Sequence, residues 1–301
     1  MKPRSRYPTV KQLRYFTALD EHEHFGRAAA ACFVSQSAFS VAIKELEALL
    51  GASLVDRTNK QVTITATGKE IATQARLVLR DIDMLVEIAG AEREPLTGRL
   101  RLGIIPTIAP FLLPTMLPAL RKGYPKLQLY LREDLTDRVY ERMMDGELDL
   151  VLIALPYELR GVETQTLFRD PFYLACRQGS ELVDPDNYAF NRLQAESVLL
   201  LEDGHCLRDH ALAACRLRNL DKISQFSATS LQTLVQMVDN DLGITYLPEM
   251  ARGSALLRGT RVRMHPLSRG SYREVGLAWR RGSARAEEFR ELGKFIAKAI
   301  V

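Results

Sequence analysis

The stretch 25–47, FGRAAAACFVSQSAFSVAIKELE, decides the fold class of the first part of the chain. An alanine-rich run from Phe25 to Ala31 leads through a short turn into a second helical pattern that opens at Ser35. Two helices at that spacing make a helix-turn-helix. Ser35 is a natural N-cap, because its hydroxyl accepts a free backbone N–H at the start of the second helix. Along that helix Phe39, Ile43, Leu46 and Leu50 fall on one apolar face, whereas Gln36, Ser37, Ser40 and Lys44 fall on another. The second face is small, polar and neutral or basic. It suits a recognition helix in the major groove of double-stranded DNA, with its first residues at base edges and Lys44 at a phosphate. Beyond it, 57–65, RTNKQVTIT, reads as a wing with an extended piece at 61–65, and Arg57 and Lys60 are set for phosphate or minor-groove contacts.

At 301 residues the chain exceeds one usual domain of about 100–200 residues, so more than one folding unit is expected. The net charge of +4 is compatible with a small basic DNA-reading module but does not by itself establish one. The most apolar stretch, Ile108 to Leu120, is interrupted by Pro110, Pro114 and Pro118, so no membrane span is expected. The first residues, MKPRSRYP, are basic but lead into no apolar segment, and a cytoplasmic location is the expectation.

After the wing, 67–91 forms one helical pattern in which Ile71, Ala75, Val78, Ile82, Leu85 and Ala89 recur at alternating steps of four and three. Such a seam predicts a linker helix that dimerises. Glu94-Pro95-Leu96-Thr97-Gly98 carries the Pro and Gly of a hinge. From Arg99 the pattern changes: strands at 100–105, 127–131 and 148–154 alternate with helices near 108–123 and 134–145, which implies a parallel α/β sheet. Further strands are predicted at 172–177, 198–202, 223–228, 244–247, 261–265 and 273–280, with helices near 207–217, 230–240 and 286–299.

Two of the four cysteines, Cys206 and Cys215, stand nine positions apart in 199–215, LLLEDGHCLRDHALAAC. In a reducing compartment such a pair reads as catalytic, metal-binding or redox-sensing more readily than as a structural crosslink. If the segment is helical the sulfurs point to opposite faces with Cα atoms roughly 13 Å apart, and a disulfide needs them within about 7 Å. Joining them would require the segment to refold, as a thiol switch does. Two independent buried thiols are the plain alternative, and Cys32 and Cys176 read simply as core residues. Consecutive His-Cys with a second His five positions on does not fit tetrahedral metal spacing, so no metal is expected. Without a dinucleotide, Walker or serine-hydrolase motif, no cofactor is expected either, and the chain reads as a non-enzyme.

The helix-turn-helix resembles that of the LysR-type transcriptional regulators, in which Ala-Ala, an apolar residue, Val-Ser-Gln, Ser, Ile and Leu-Glu recur, followed by a Gly and an Arg-Thr wing. Two departures stand out: Ser37 replaces the usual proline, and Cys32 occupies a usual leucine position. The resemblance covers the whole chain. It implies an N-terminal all-α winged helix-turn-helix (1–66), a linker and dimerisation helix (67–93), a hinge (94–98) and a C-terminal α/β regulatory domain (99–301). That last domain would hold two subdomains like those of periplasmic binding proteins, 99–169 with 272–301 and 170–271, with an effector cleft between them.

Leu-Glu-Asp-Gly-His-Cys-Leu-Arg-Asp with a second Cys at plus nine resembles the peroxide-sensing OxyR branch of that family. Gly103-Ile104-Ile105-Pro106-Thr107, Ala228-Thr229-Ser230-Leu231 and Gly243-Ile244-Thr245-Tyr246-Leu247-Pro248 add to the match. Cys206, at a helix start beside His205 and Arg208, is expected to be the peroxidatic thiol with a depressed pKa. Cys215, among apolar neighbours, is expected to resolve the sulfenic acid as a disulfide. The resemblance further implies that Thr107, Thr136 and His205 hold the peroxide while Asp209 and Arg280 tune the site. It also implies a homodimer or homotetramer on DNA, contact with RNA polymerase, activation of oxidative-stress genes, and re-reduction by thiol reductants such as glutaredoxin or glutathione. Two other readings stay open: a LysR-type regulator that answers a small metabolite, and a thiol peroxidase.

Overall fold

Side-chain caps fix where the first helices begin. α1 (Val10–His22) starts at Thr9, whose hydroxyl accepts from the Gln12 N–H while the Gln12 side chain accepts from the Thr9 N–H. α2 (Phe25–Ala31) starts at His24, whose ring accepts from the N–H groups of Gly26 and Arg27. α3 (Gln36–Leu50) starts at Ser35, whose hydroxyl accepts from the Ala38 N–H, and ends at Gly51 in the left-handed conformation. Phe16, Leu19, Phe39, Ile43 and Leu46 form the buried centre of this unit, with the Tyr15 ring stacked on Phe39 at 5.0 Å. This computed structural model describes residues 7–56, 62–89, 96–215, 219–267 and 271–300. They divide into two compact units, one reaching Ala89 and taking in Met144–Glu147, the other comprising the rest from Leu96 onward.

β1 (Val55–Asp56) and β2 (Thr63–Ile64) pair antiparallel where a wing is expected, and the Glu47 carboxylate accepts from the N–H groups of Leu54 and Val55 at the entry to that hairpin. Arg57 and Lys60 lie outside the described residues, as do Glu94 and Pro95 of the hinge. α4 (Ala66–Ala89) supplies the long helix. Its apolar seam does not behave uniformly: Ile71 packs onto the helix-turn-helix core, whereas Val78 and Leu85 are exposed at 44% and 65%.

The second unit opens with β3 (Gly98–Ile104), α5 (Ala109–Gly123), β4 (Leu127–Glu133), α6 (Thr136–Met144) and β5 (Leu150–Leu155). β3 lies between β4 and β5 and is parallel to both. β6 (Val162–Arg177) follows, then β7 (Val198–Leu201), α7 (Cys206–Ala214), β8 (Ile223–Ala228), α8 (Leu231–Asp239), β9 (Thr245–Pro248), β10 (Val262–Pro266), β11 (Tyr272–Arg280) and α9 (Ala286–Ile300). β11 runs antiparallel to β5 and to β6, so the sheet is mixed and not parallel throughout. β6 is also much longer than the predicted 172–177, because its first half, in which polar residues predominate, is held as a strand by pairing with β11. Its second half turns to new partners, β10 and β9, and to a separate core that includes Phe172, Leu200, Leu207, Val235 and Leu247. Where β6 changes partners, Asp170 stands directly opposite Arg273.

Gly103 permits the close approach inside this sheet. A Cβ there would lie 2.7 Å from Leu148 Cδ1 and 3.0 Å from Val139 and Val151. Gly103→Val is expected to cost about 1–3 kcal/mol by overpacking. Urea denaturation measures it, and an unchanged stability would contradict this packing.

Candidate functional site

Gly204, with φ at +96°, turns the chain out of β7 in a conformation that side chains other than glycine rarely adopt. His205 then serves as the N-cap of α7 and Cys206 is its first helical residue. Cys206 is buried, with 4% exposure. Its sulfur meets groups from three other elements: the Thr136 hydroxyl at the start of α6, the Ala154 N–H on β5 and the positive charge of Arg273 on β11. Burial pushes the Cys206 thiol up, and those three groups pull against it, while Asp209 adds to the rise. The direction is opposite to the depression expected from a helix start alone, because desolvation of the charged form outweighs the favourable groups. Thr136 lies close enough to favour the thiolate, yet its hydroxyl, itself buried, finds no partner at full hydrogen-bond geometry among the described residues.

Arg273 organises the surroundings. Its Nε donates to Asp170 Oδ2 at 3.0 Å, Nη1 to Thr107 Oγ1 at 3.1 Å, and Nη2 to the Thr107 carbonyl at 2.8 Å and to Met250 Sδ at 3.4 Å. Asp170 is held in turn by the Met250 N–H at 3.1 Å, and burial pushes its carboxyl up against the pull of the guanidinium. Thr107 and His205 both line a cavity of about 510 Å³ that is bounded also by Leu201, Thr229 and Ser230. Burial lowers the His205 ring.

The predicted site residues therefore separate. Cys206, Thr107, Thr136 and His205 are buried: Thr136 and Arg273 act on the Cys206 sulfur, Thr107 is held by Arg273 and shares a cavity with His205, and Asp209 is exposed but acts on the thiol. Arg208 does not. Its guanidinium pairs with Asp203 at 3.0 Å and donates to the Leu201 carbonyl at 3.4 Å. Arg280 does not either: it donates to the carbonyls of Met143 and Leu148, seven positions along β11 from Arg273, or roughly 23 Å. The cation missed by sequence reading is Arg273. Its only sequence signal was a charged residue at the start of a predicted strand, and its pairing partner is 103 positions away.

Cys215 caps the other end of α7. It is half-buried among apolar residues, and burial pushes its thiol up to about 12 despite a hydrogen bond with Ser271. Both cysteines are free thiols, and nine residues of helical rise hold their Cα atoms about 13 Å apart. On α3 and its cap, Ser35, Gln36, Ser37 and Lys44 are exposed and Ser40 is half-buried, opposite the core face of Phe39 and Ile43.

Two outcomes test this geometry. Arg273→Met leaves the Asp170 carboxylate buried without its cation and is expected to cost about 3–5 kcal/mol, much of which Arg273→Met with Asp170→Leu should restore. Denaturation of the single and double variants reads this, and a neutral single variant would contradict it. Cys215, with its raised thiol, stays protonated at neutral pH. Its alkylation in the reduced protein should therefore rise only well above the ordinary thiol value of about 8.5, and a profile centred there would contradict the burial.

Comparison with known proteins adds an independent line. Residues 10–69 match the bacterial regulatory helix-turn-helix protein, lysR family, and residues 93–300 match the LysR substrate binding domain. The HTH-type transcriptional regulator EstR of Acinetobacter baylyi is 41% identical over 83% of both chains. The DNA-binding transcriptional dual regulator OxyR of Escherichia coli is 38% identical over 95% of this chain and 94% of its own. Among solved structures, a full-length OxyR from Pseudomonas aeruginosa with a cysteine-to-aspartate change superposes with a TM-score of 0.80 at 34% identity, covering 97% of this chain and 95% of that one. A hydrogen-peroxide-bound cysteine mutant of Corynebacterium glutamicum OxyR gives a TM-score of 0.66 at 31% identity, covering 98% and 93%.

Proposed function

Starting from a chain that belongs to the LysR family of DNA-binding transcription regulators, with OxyR proteins among its relatives, we propose that it senses hydrogen peroxide through a reversible disulfide between Cys206 and Cys215. One observation carries the reading: a buried thiol faces a backbone N–H, a guanidinium and a hydroxyl that has no hydrogen-bond partner among the described residues, at one end of a short helix whose other end is a second thiol. A small polar molecule beside Thr136 would satisfy that hydroxyl. Thr107, Thr136 and His205 are the residues proposed to hold the peroxide, with Asp209 and Arg273 setting the charge around it.

The Cys206 sulfur attacks one peroxide oxygen, the S–O bond forms as the O–O bond breaks, and water leaves once the thiol proton has reached the departing oxygen. The Cys215 sulfur then displaces a second water from the sulfenic acid, and the disulfide forms. Because α7 separates the two sulfurs by more than a disulfide spans, this second step unwinds it. The refolded segment shifts the contacts between protomers of a homodimer or homotetramer, and with them the spacing of the winged helices on DNA and the recruitment of RNA polymerase. A dithiol exchange with glutaredoxin or glutathione returns the protein to its reduced form. In this reading 170–271 moves as a subdomain against 99–169 and 272–301.

A second reading has its own observation. The cavity of about 510 Å³ beside His205 exceeds what a peroxide needs and has polar groups at the start of α8, as a metabolite site in a LysR-type regulator would. DNA footprinting of the wild type, Cys206→Ser and Cys215→Ser, each with and without low peroxide, separates the two. Peroxide should change the wild-type footprint and leave that of Cys206→Ser unaltered, while Cys215→Ser should accumulate a sulfenic acid that dimedone traps. A wild-type footprint indifferent to peroxide, or an equal change in Cys206→Ser, would refute the peroxide reading.

A further inference from the structure

His210 has no part in the site as derived so far, yet it lies one helical turn beyond Cys206 on α7. Side chains four positions apart on a helix share a face, with Cβ atoms about 5–6 Å apart. The contacts of the two residues run in parallel along the end of β5. Cys206 takes the Ala154 N–H, and His210 Nε2 lies 2.9 Å from the Pro156 carbonyl. A carbonyl only accepts, so Nε2 carries the ring proton and Nδ1 presents a lone pair. That Nδ1 is buried and has no hydrogen-bond partner among the described residues. A buried acceptor without a donor costs free energy, of order 1–3 kcal/mol, and calls for an explanation.

We infer that His210 is the proton acceptor for the Cys206 thiol, taking its proton on Nδ1 when the sulfur attacks and returning it to the departing oxygen. This assignment rests on the peroxide reading for its substrate, though the transfer from thiol to ring does not depend on it. The step balances. The thiol proton moves to Nδ1, and the imidazolium keeps its Nε2–H on the Pro156 carbonyl. The thiolate attacks one peroxide oxygen, the S–O bond forms and the O–O bond breaks, so the sulfur loses two electrons and the peroxide gains them. The departing hydroxide takes the proton from Nδ1 and leaves as water, and the neutral ring is restored.

The charges around the ring suit a base that is neutral at rest. From β11 the Arg273 guanidinium opposes a second positive charge, and from α7 Asp209 favours it, while burial, the largest influence, keeps the ring neutral. Tyr157 from the loop after β5 and Tyr272 and Glu274 from β11 line the same cavity as His210, and the Tyr157 hydroxyl is committed to Asp137 on α6 at 2.5 Å. The Cys206 thiol on the same face has the proton to give. His205, the neighbouring histidine, lines the other cavity and caps the helix instead.

The test uses the full-length reduced protein with His210→Gln and His210→Phe. Glutamine keeps an N–H for the Pro156 carbonyl but cannot take a proton near neutral pH, and phenylalanine removes both functions. The rate of Cys206 alkylation by iodoacetamide at neutral pH, read by mass spectrometry, reports removal of the thiol proton without peroxide. Dimedone trapping after low peroxide reports the oxidation rate. Both variants should alkylate and oxidise at Cys206 at least about 100-fold more slowly at neutral pH, the lower end of what a positioned base contributes. A His210→Gln protein with the wild-type alkylation and oxidation rates would overturn the assignment, including the case in which only His210→Phe is slow, since that marks a structural hydrogen bond. Failure of the wild type to oxidise at Cys206 would strike the peroxide reading instead, and the alkylation rates would still decide the role of His210.

Discussion

The guanidinium of Arg273 is the constraint from which the second unit takes its form. It is fully buried, and its contacts tie three different parts of the chain: Asp170 on β6, Thr107 after β3 and Met250 after β9. A buried cation is tolerated only where charge and hydrogen bonds are supplied with good geometry. Asp170 stands opposite Arg273 at the point where β6 leaves β11 for β10 and β9, so the ion pair sits at the join between the two sets of strands. The same positive charge reaches the Cys206 sulfur. What holds the strands together thus also sets the electrostatics of the thiol.

α7 has the opposite character. It has nine residues, too few to be stable alone in water, so it persists through packing. Of its residues only Cys206, Leu207 and Ala211 are buried. Removing Leu207 from the core would cost about 1.5–3 kcal/mol. A two-electron couple supplies about 1.4 kcal/mol for each 30 mV. A modest difference in potential therefore suffices to exchange the helix for a disulfide, which is what the proposed switch requires of it.

The sequence made much of this legible for physical reasons. Ser35 caps α3 and Phe39, Ile43 and Leu46 turn inward, as their spacing dictates. Apart from β6, the strands and helices after Arg99 form within a few residues of their predicted places, because most of them carry an apolar period. The first half of β6 was not visible, since Glu163, Gln165 and Arg169 have polar side chains on a strand whose pairing with β11 is far away in sequence. The grouping of Thr107, Thr136 and His205 near Cys206 followed from a resemblance, and no local pattern in the chain announces it. The charge at the site was misread for the same reason: Arg208 is close along the chain but pairs with Asp203, whereas Arg273 is distant along the chain and close in space.

The account depends on α7 being folded while the thiols are free and unfolded once they are joined. Hydrogen exchange of the 206–215 amides, followed by mass spectrometry before and after low peroxide, tests this most directly. Protection across the segment in the reduced protein, lost together with the appearance of a Cys206–Cys215 crosslinked peptide, is the result predicted. A crosslink that forms while the protection persists, or peroxide treatment that leaves both thiols free, would contradict it.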